Sequence, residues 1–253
     1  MKTTIYYFSA TGNSLTTAER LAEKLGGCEL VPVASVMHQS KILDDSDAVG
    51  FVFPVYYGNF PYPVRMTIEK MVLNPEAYVF SAATYRGHAG KAAQRLAQLL
   101  RTRGQKLSLS LGVSMPGNSF INAPEVDASH LANQDAAIEA MVQPILSRET
   151  NDYSTDEILP VTPVGYPNNF RGIVAEESCA GCGVCVGVCP MNNIAIVDGK
   201  AKIGDDCSTC LACFHWCPKE AIWMSKQENI ARRSKYHHPD VTMADIMAQK
   251  NAQ

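Results

Sequence analysis

Thr4-Ile5-Tyr6-Tyr7-Phe8-Ser9 runs without a break into Ala10-Thr11-Gly12-Asn13-Ser14 and on into an amphipathic stretch ending at Leu25. The first segment is β-rich and apolar. The last carries Leu15, Ala18, Leu21, Ala22 and Leu25 at helical spacing and stops at Gly26-Gly27. Small hydroxylated residues around a glycine, at a strand-to-helix turn, form a nest of backbone N–H groups, and the helix dipole adds to its pull on an anion. The turn lacks the Gly-Lys-Ser/Thr of a Walker loop and is not G-x-G-x-x-G, so neither ATP nor a Rossmann dinucleotide is favoured. Taken alone, it also suits an ordinary capped helix start.

The same alternation continues through residue 150. Strands are expected at Thr4–Ser9, Glu29–Val33, Ala48–Val55, Tyr78–Thr84 and Lys106–Val113, and helices at Ser14–Leu25, Pro63–Leu73, Lys91–Arg103 and Asn133–Ser147. Near-continuous apolar strands such as Val49-Gly50-Phe51-Val52-Phe53 argue for a parallel sheet covered on both faces. Five strands in such a series suit an α/β, flavodoxin-like doubly wound order. Two further loops follow expected strands: Pro54–Pro61, with Tyr56-Tyr57-Gly58-Asn59, and Ala83–Gly90, with Thr84-Tyr85-Arg86-Gly87-His88. Both fall where an open α/β sheet presents ligands, and both set aromatic rings beside glycines that allow close backbone approach. Each tyrosine reads equally well as a half-buried loop aromatic.

Eight of the nine cysteines lie between Cys179 and Cys217; the other is Cys28, at the start of an expected strand, which reads as a buried core thiol. Cys179, Cys182, Cys185 and Cys189-Pro190 spell C-x2-C-x2-C-x3-C-P, and Cys207, Cys210, Cys213 and Cys217-Pro218 spell it again after a shift of 28 residues. Pro190 and Ile194 map onto Pro218 and Ile222 by the same shift, so the block is an internal duplication. Three closely spaced thiolates grip three corners of an iron–sulfur cubane, and the fourth comes from the other repeat. The expected ligand sets are therefore Cys179, Cys182, Cys185 and Cys217 for one [4Fe–4S] cluster, and Cys207, Cys210, Cys213 and Cys189 for the other. Structural zinc prefers two C-x2-C pairs held apart by a longer spacer, not four cysteines in eleven residues. Ile194–Ile203, with Asp198-Gly199 at its centre, reads as a hairpin. Phe214 and Trp216 are expected to keep water off the sulfurs.

Composition narrows the class. Apolar residues are 46% and charged ones 19%, enough for a proper core and inconsistent with a disordered or collagenous chain. With Lys+Arg 22 against Asp+Glu 25 and no basic tract, nucleic acid is not an expected partner. The N-terminus is too short and polar for a signal core, and no apolar run is of membrane-spanning length. A cytoplasmic protein without membrane insertion is therefore expected, where clustered cysteines more often ligate metal than form disulfides. The divisions expected are a domain at 1–150, a Pro-rich linker at 151–172, a cysteine domain at 173–226 and a polar tail at 227–253. In that tail Thr242 and Asp245 form a capping-box pair, and His237-His238 read as surface residues.

With these motifs in view, residues 1–150 resemble a flavodoxin, Ser9–Ser14 matching that family's S/T-x-T-G-N-T/S phosphate loop. The resemblance implies FMN, with Ser9, Thr11, Gly12, Asn13 and Ser14 at the phosphate. It also implies Tyr56, Tyr57 or Tyr85 stacking on the ring and Gly58 near flavin N5, with Asn59, Thr84 and Gly87 in the same two loops. Gly58 is followed by Asn59 where an acidic residue would be more usual. Residues 173–226 resemble a small α+β bacterial ferredoxin with two [4Fe–4S] clusters. The whole chain resembles a fusion of the two modules known from anaerobic bacteria, and Arg233–Pro239 resembles the basic, aromatic segment found after the clusters there. The resemblance implies an electron-transfer protein relaying electrons between FMN and the clusters, and to or from redox partner proteins. The main rival is an iron–sulfur flavoenzyme reducing a small substrate such as a quinone at the FMN. A redox sensor docking on another protein is a third class.

Overall fold

The computed structural model describes residues 2–119, 121–155, 157, 159, 172–224 and 234–252. In chain order its first part is β1 (Thr3–Tyr7), α1 (Asn13–Lys24), β2 (Glu29–Pro32), α2 (Val33–Val36), β3 (Ile42–Asp44), β4 (Ala48–Pro54), α3 (Tyr62–Ile68), β5 (Met71–Leu73), β6 (Tyr78–Tyr85), α4 (Ala92–Arg101), β7 (Leu107–Ser114) and α5 (Pro124–Leu146). The second part is β8 (Ile173–Ala175), α6 (Val184–Val188), β9 (Ile194–Val197), β10 (Lys200–Ile203), α7 (Ala212–His215), β11 (Ile222–Met224) and α8 (Met243–Ala248).

Strands β2-β1-β4-β6-β7 form one sheet in that order, and every pairing is parallel. Counted along the chain, this is the 2-1-3-4-5 order of a flavodoxin-like doubly wound sheet. All seven residues of β4 are buried, so both of its faces are covered, since alternate side chains leave opposite faces. Helices α1 and α5 pack on each other and against the sheet, and α4 packs on β7 beside α3. The loops after β1, β4, β6 and β7 therefore open at one end of the sheet.

Three expectations need correction. Residues 71–73 leave the expected helix as β5, pairing in parallel with β3. The last helix begins at Pro124, well before Asn133; Pro124 at its start and Glu125 and Asp127 in its first turn favour initiation there. Its upstream turns lack the apolar stripe that marks a helix in sequence. His238 is 1% exposed rather than a surface residue. Most of the expected linker, and residues 225–233 of the tail, lie outside the described residues.

The cysteine-rich part has two small antiparallel ladders. Strands β9 and β10 form the expected hairpin, with Asp198 and Gly199 at φ 50° and 75°, the doubly positive pair of a type I′ turn. Strands β8 and β11 bring the ends of the block together. The capping box of Thr242 and Asp245 is present and starts α8.

Candidate functional site

The first turn of α1 opens on Gly12 at φ 102°, a conformation that only glycine adopts freely. The Gly12 amide donates to Ser9 Oγ at 3.1 Å, and Thr16 N donates to Gly12 O at 2.9 Å. The Asn13 and Ser14 amides, in the first helical turn, have no carbonyl behind them. Asn13 Nδ2 donates to Pro116 O at 2.7 Å, and Ser14 Oγ lies 2.9 Å from Thr84 Oγ1. A cavity of about 140 Å³ lies over this turn, lined by Ser9, Thr11, Asn13, Ser14 and Thr84 with the loop after β7. It offers buried donors and no carboxylate, which suits a phosphate.

A larger cleft of about 560 Å³ adjoins it. Tyr56–Asn59 is a tight turn: Tyr56 N donates to Asn59 O and Asn59 N to Tyr56 O, with Tyr57 and Gly58 at φ 53° and 72°. Tyr56, Tyr57, Gly58, Tyr85, Gly87 and His88 all line the cleft. Tyr57 stands 64% exposed at its rim. The buried Tyr56 hydroxyl accepts from Asn118 Nδ2 at 3.2 Å, and burial pushes its pKa far above the ordinary value. Asn59 turns away: it is buried, its Oδ1 accepts from Phe60 N, and it lines a separate pocket with Phe60 and Arg65. Gly12 lines neither cavity wall, because its missing Cβ would point at His238 and Val241.

The eight clustered cysteines ring two further cavities. Cys179, Cys182, Cys185 and Cys217 line one; Cys189, Cys207, Cys210 and Cys213 line the other. Each cavity draws three sulfurs from one repeat and its fourth from the other. Among the described residues no group of His, Cys, Asp and Glu converges on a single metal ion, whereas a cubane asks four thiolates to reach four separate corners. Burial pushes the Cys210 thiol up to about 12, the Cys189 sulfur adding to the shift, and raises the Cys213 thiol as well. Isolated thiolates are thus costly in this cavity, and bound metal cations would offset that cost. Ala201 N, Thr209 N and Ala221 N point at the sulfurs of Cys179, Cys207 and Cys217 at 3.3–3.4 Å. Cys28 lies half-buried against the sheet core, where burial raises its thiol.

The cysteine block and the sheet domain meet at this site. Thr209 and Leu211 form part of the large cleft's wall, and Leu211 also lines the Cys189/Cys207/Cys210/Cys213 cavity. Asn118, in the loop after β7, donates to Cys210 O at 3.3 Å as well as to Tyr56, and its carbonyl is 2.8 Å from His215 Nε2. Trp216 Nε1 donates to Ala10 O at 2.9 Å and its indole stacks on His237, so this residue seals the junction rather than the sulfurs. Phe214 does pack among the cysteines, with Trp223 beside it and the Lys235 ammonium over its ring.

Residues 234–252 strap the junction. Tyr236 OH donates to Asn13 Oδ1 at 2.6 Å and Tyr236 N donates to His215 Nδ1 at 3.0 Å. His238 N donates to Thr11 O at 2.8 Å, and its Nε2 lies 2.8 Å from Gln134 Oε1. Gln249 takes both main-chain groups of Ser9, and Lys250 reaches Val186 O and Asn192 Oδ1 in the cysteine block. Sequence reading missed Asn118, Thr209, Leu211 and His215; a basic, aromatic tail clamping the two modules is expected from the sequence, but not the individual partners it takes. For Asn118 a signal existed: the segment after β7 ends a sheet strand just as the other two loops do.

The site is that of a flavodoxin-type α/β domain with a duplicated cysteine block closed against its ligand end. The Flavodoxin domain family model matches residues 4–112, so the N-terminal part is flavodoxin-like, and a ferredoxin relative supports a fusion with a ferredoxin-like segment. An uncharacterised ferredoxin from Methanocaldococcus jannaschii is 29% identical over 94 residues, covering 34% of this chain and 60% of its own length. The chain thus spans less than two thirds of that relative. Solved structures similar to it include a flavodoxin from Streptococcus pneumoniae (18% identity, 56% of this chain and 100% of that one, TM-score 0.37). A flavoprotein in complex with FMN from Lactobacillus acidophilus is 16% identical over 44% of this chain and 92% of its own, with TM-score 0.36. Among the described residues no helix is long and apolar enough to cross a membrane.

Proposed function

We propose that this chain is a cytoplasmic electron-transfer protein holding FMN and two [4Fe–4S] clusters in adjoining sites, and serving redox partner proteins. The observation that carries the reading is the shared wall: Leu211 lines both the large cleft and the Cys189/Cys207/Cys210/Cys213 cavity. Ser9, Thr11, Asn13, Ser14 and Thr84 would hold the phosphate, with Gly12 shaping the turn. Tyr56, Tyr57, Gly58, Tyr85 and Gly87 would hold the ring. Cys179, Cys182, Cys185 and Cys217 would hold one cluster, and Cys189, Cys207, Cys210 and Cys213 the other. FMN supplies one- or two-electron chemistry and each cluster one-electron chemistry. The chain's own part is to keep the groups close, exclude water at the junction and prevent the modules from separating.

Anaerobic purification with iron, sulfide and flavin analysis tests the cofactors. Stopped-flow reduction of the clusters then tests the relay. The rate constant for electron arrival at FMN is expected to be independent of protein concentration; proportionality to concentration would mean transfer between molecules and would refute the relay. Steady-state NAD(P)H-dependent quinone reduction without a partner protein would favour a flavoenzyme over a carrier.

A further inference from the structure

The two cysteine repeats differ between their first and second ligands. The first has Ala180-Gly181, and the second, at the corresponding positions, Ser208-Thr209. Ser208 is 1% exposed and lines the Cys189/Cys207/Cys210/Cys213 cavity; its Oγ has no well-aligned hydrogen-bond partner among the described residues, but lies close enough to the Cys210 sulfur to act on it. The neighbouring Thr209 Oγ1 is likewise buried and unpartnered, on a backbone at φ 58° that a β-branched residue rarely adopts. Thr209 lines the large cleft instead, which leaves Ser208: buried hydroxyls in proteins are almost always satisfied, and one set in a cavity wall points to an acceptor inside that cavity. Among four thiolates, that acceptor is sulfur.

Resting on the cluster assignment above, we propose that Ser208 donates a hydrogen bond to a sulfur of the cluster held by Cys189, Cys207, Cys210 and Cys213, and so raises that cluster's potential. A cubane with four thiolates is anionic and gains one negative charge on accepting one electron. Burial opposes that gain, while a donor aimed at sulfur favours it. The other cavity is built differently. Ala180 lines it and has no side-chain donor to offer, while Cys182 is exposed, so solvent reaches its edge. The cluster beside the flavin cleft thus uses a protein hydroxyl where the outer one uses water.

The test is an anaerobic potentiometric titration read by EPR, on the full chain and on Ser208→Ala and Ser208→Thr, with iron, sulfide and FMN quantified. Ser208→Ala is expected to keep the iron of two cubanes and its FMN, and to lower the midpoint of one cluster only. Ser208→Thr, which retains the hydroxyl, is expected to restore it. Full iron with both midpoints unmoved in Ser208→Ala overturns the inference. Should that variant fail to load iron, pulsed EPR of the unaltered chain decides. Brief exchange into deuterated water labels hydroxyls before buried amides and should introduce a strongly coupled deuteron at the cluster whose signal Cys189→Ser removes; its absence from that cluster overturns the inference, whatever solvent deuterons couple to the other. Iron short of two cubanes in the unaltered chain would instead refute the proposed function.

Discussion

Replacing Gly12 with alanine should open the C-terminal strap before it affects anything else. A Cβ built on Gly12 would lie 2.7 Å from His238 Cβ and 2.9 Å from Val241 Cβ, closer than real side chains approach. The backbone there, at φ 102°, is also one that alanine resists. The backbone strain costs about 1–2 kcal/mol. Forcing a methyl into a filled contact adds about 1–3 kcal/mol unless the neighbour moves. The neighbour can move, because His238 and Val241 belong to a terminal segment held chiefly by side-chain contacts. Only the clash is relieved when the strap opens, so its share of about 1–3 kcal/mol corresponds to roughly 5-fold to 140-fold in the opening equilibrium, at about 1.4 kcal/mol per tenfold. Amide hydrogen exchange over residues 241–246 reads this directly, with sheet amides as an internal reference. Gly27→Ala is the control, since it has φ 97° but no heavy atom within 4 Å of its missing Cβ. It should show the strain without the clash, leaving the strap protected. Unchanged exchange in Gly12→Ala would refute the packing argument. Loss of FMN with the strap still protected would mean the methyl acts on the phosphate side instead.

Cys189→Ser should remove the cluster signal associated with Cys207, Cys210 and Cys213, whereas Cys217→Ser should remove the other; EPR of both variants showing each run serving its own cluster would refute the crossed pairing. Asn118→Leu strips the donors from Tyr56 and the Cys210 carbonyl, leaving part-buried acceptors unpaired at about 1–2 kcal/mol, so thermal unfolding should begin a few degrees lower. His238 is buried neutral, burial holding its pKa below 6.5 with Arg20 pushing the same way and Asp240 and Asp135 opposing. The unfolded chain therefore binds the extra proton first. Strap stability should be complete above about pH 7 and fall as pH drops below the unfolded value, a slope that His238→Gln should abolish in exchange measurements at about pH 5 and 8.

Features set by near neighbours were legible in the residues themselves. The helical spacing from Leu15 to Leu25, the apolar run of β4 and the small-residue turn at Ser9–Ser14 each depend on chemistry within one element, so composition and period reveal them. The duplicated cysteine spacing was equally plain, because it is a pattern within short loops, and the fold gathers those cysteines around two cavities, three from one repeat and one from the other in each. Asn59 shows the limit inside one loop. It occupies a ligand-facing turn in sequence, yet the tight turn through Tyr57 and Gly58 leaves its side chain bonded to Phe60 and away from the cleft. The junction was invisible for a different reason. Asn118 meets Cys210 across 92 residues, Trp216 meets Ala10 across 206 and Tyr236 meets Asn13 across 223. Such pairs have no period or spacing to betray them, since each arises only when separate modules close on one another and their unpaired buried groups find partners. For the same reason His238, a polar residue in a charged tail, looked like surface. Only the folded chain, by laying that tail over the Gly12 turn, decided that it is buried.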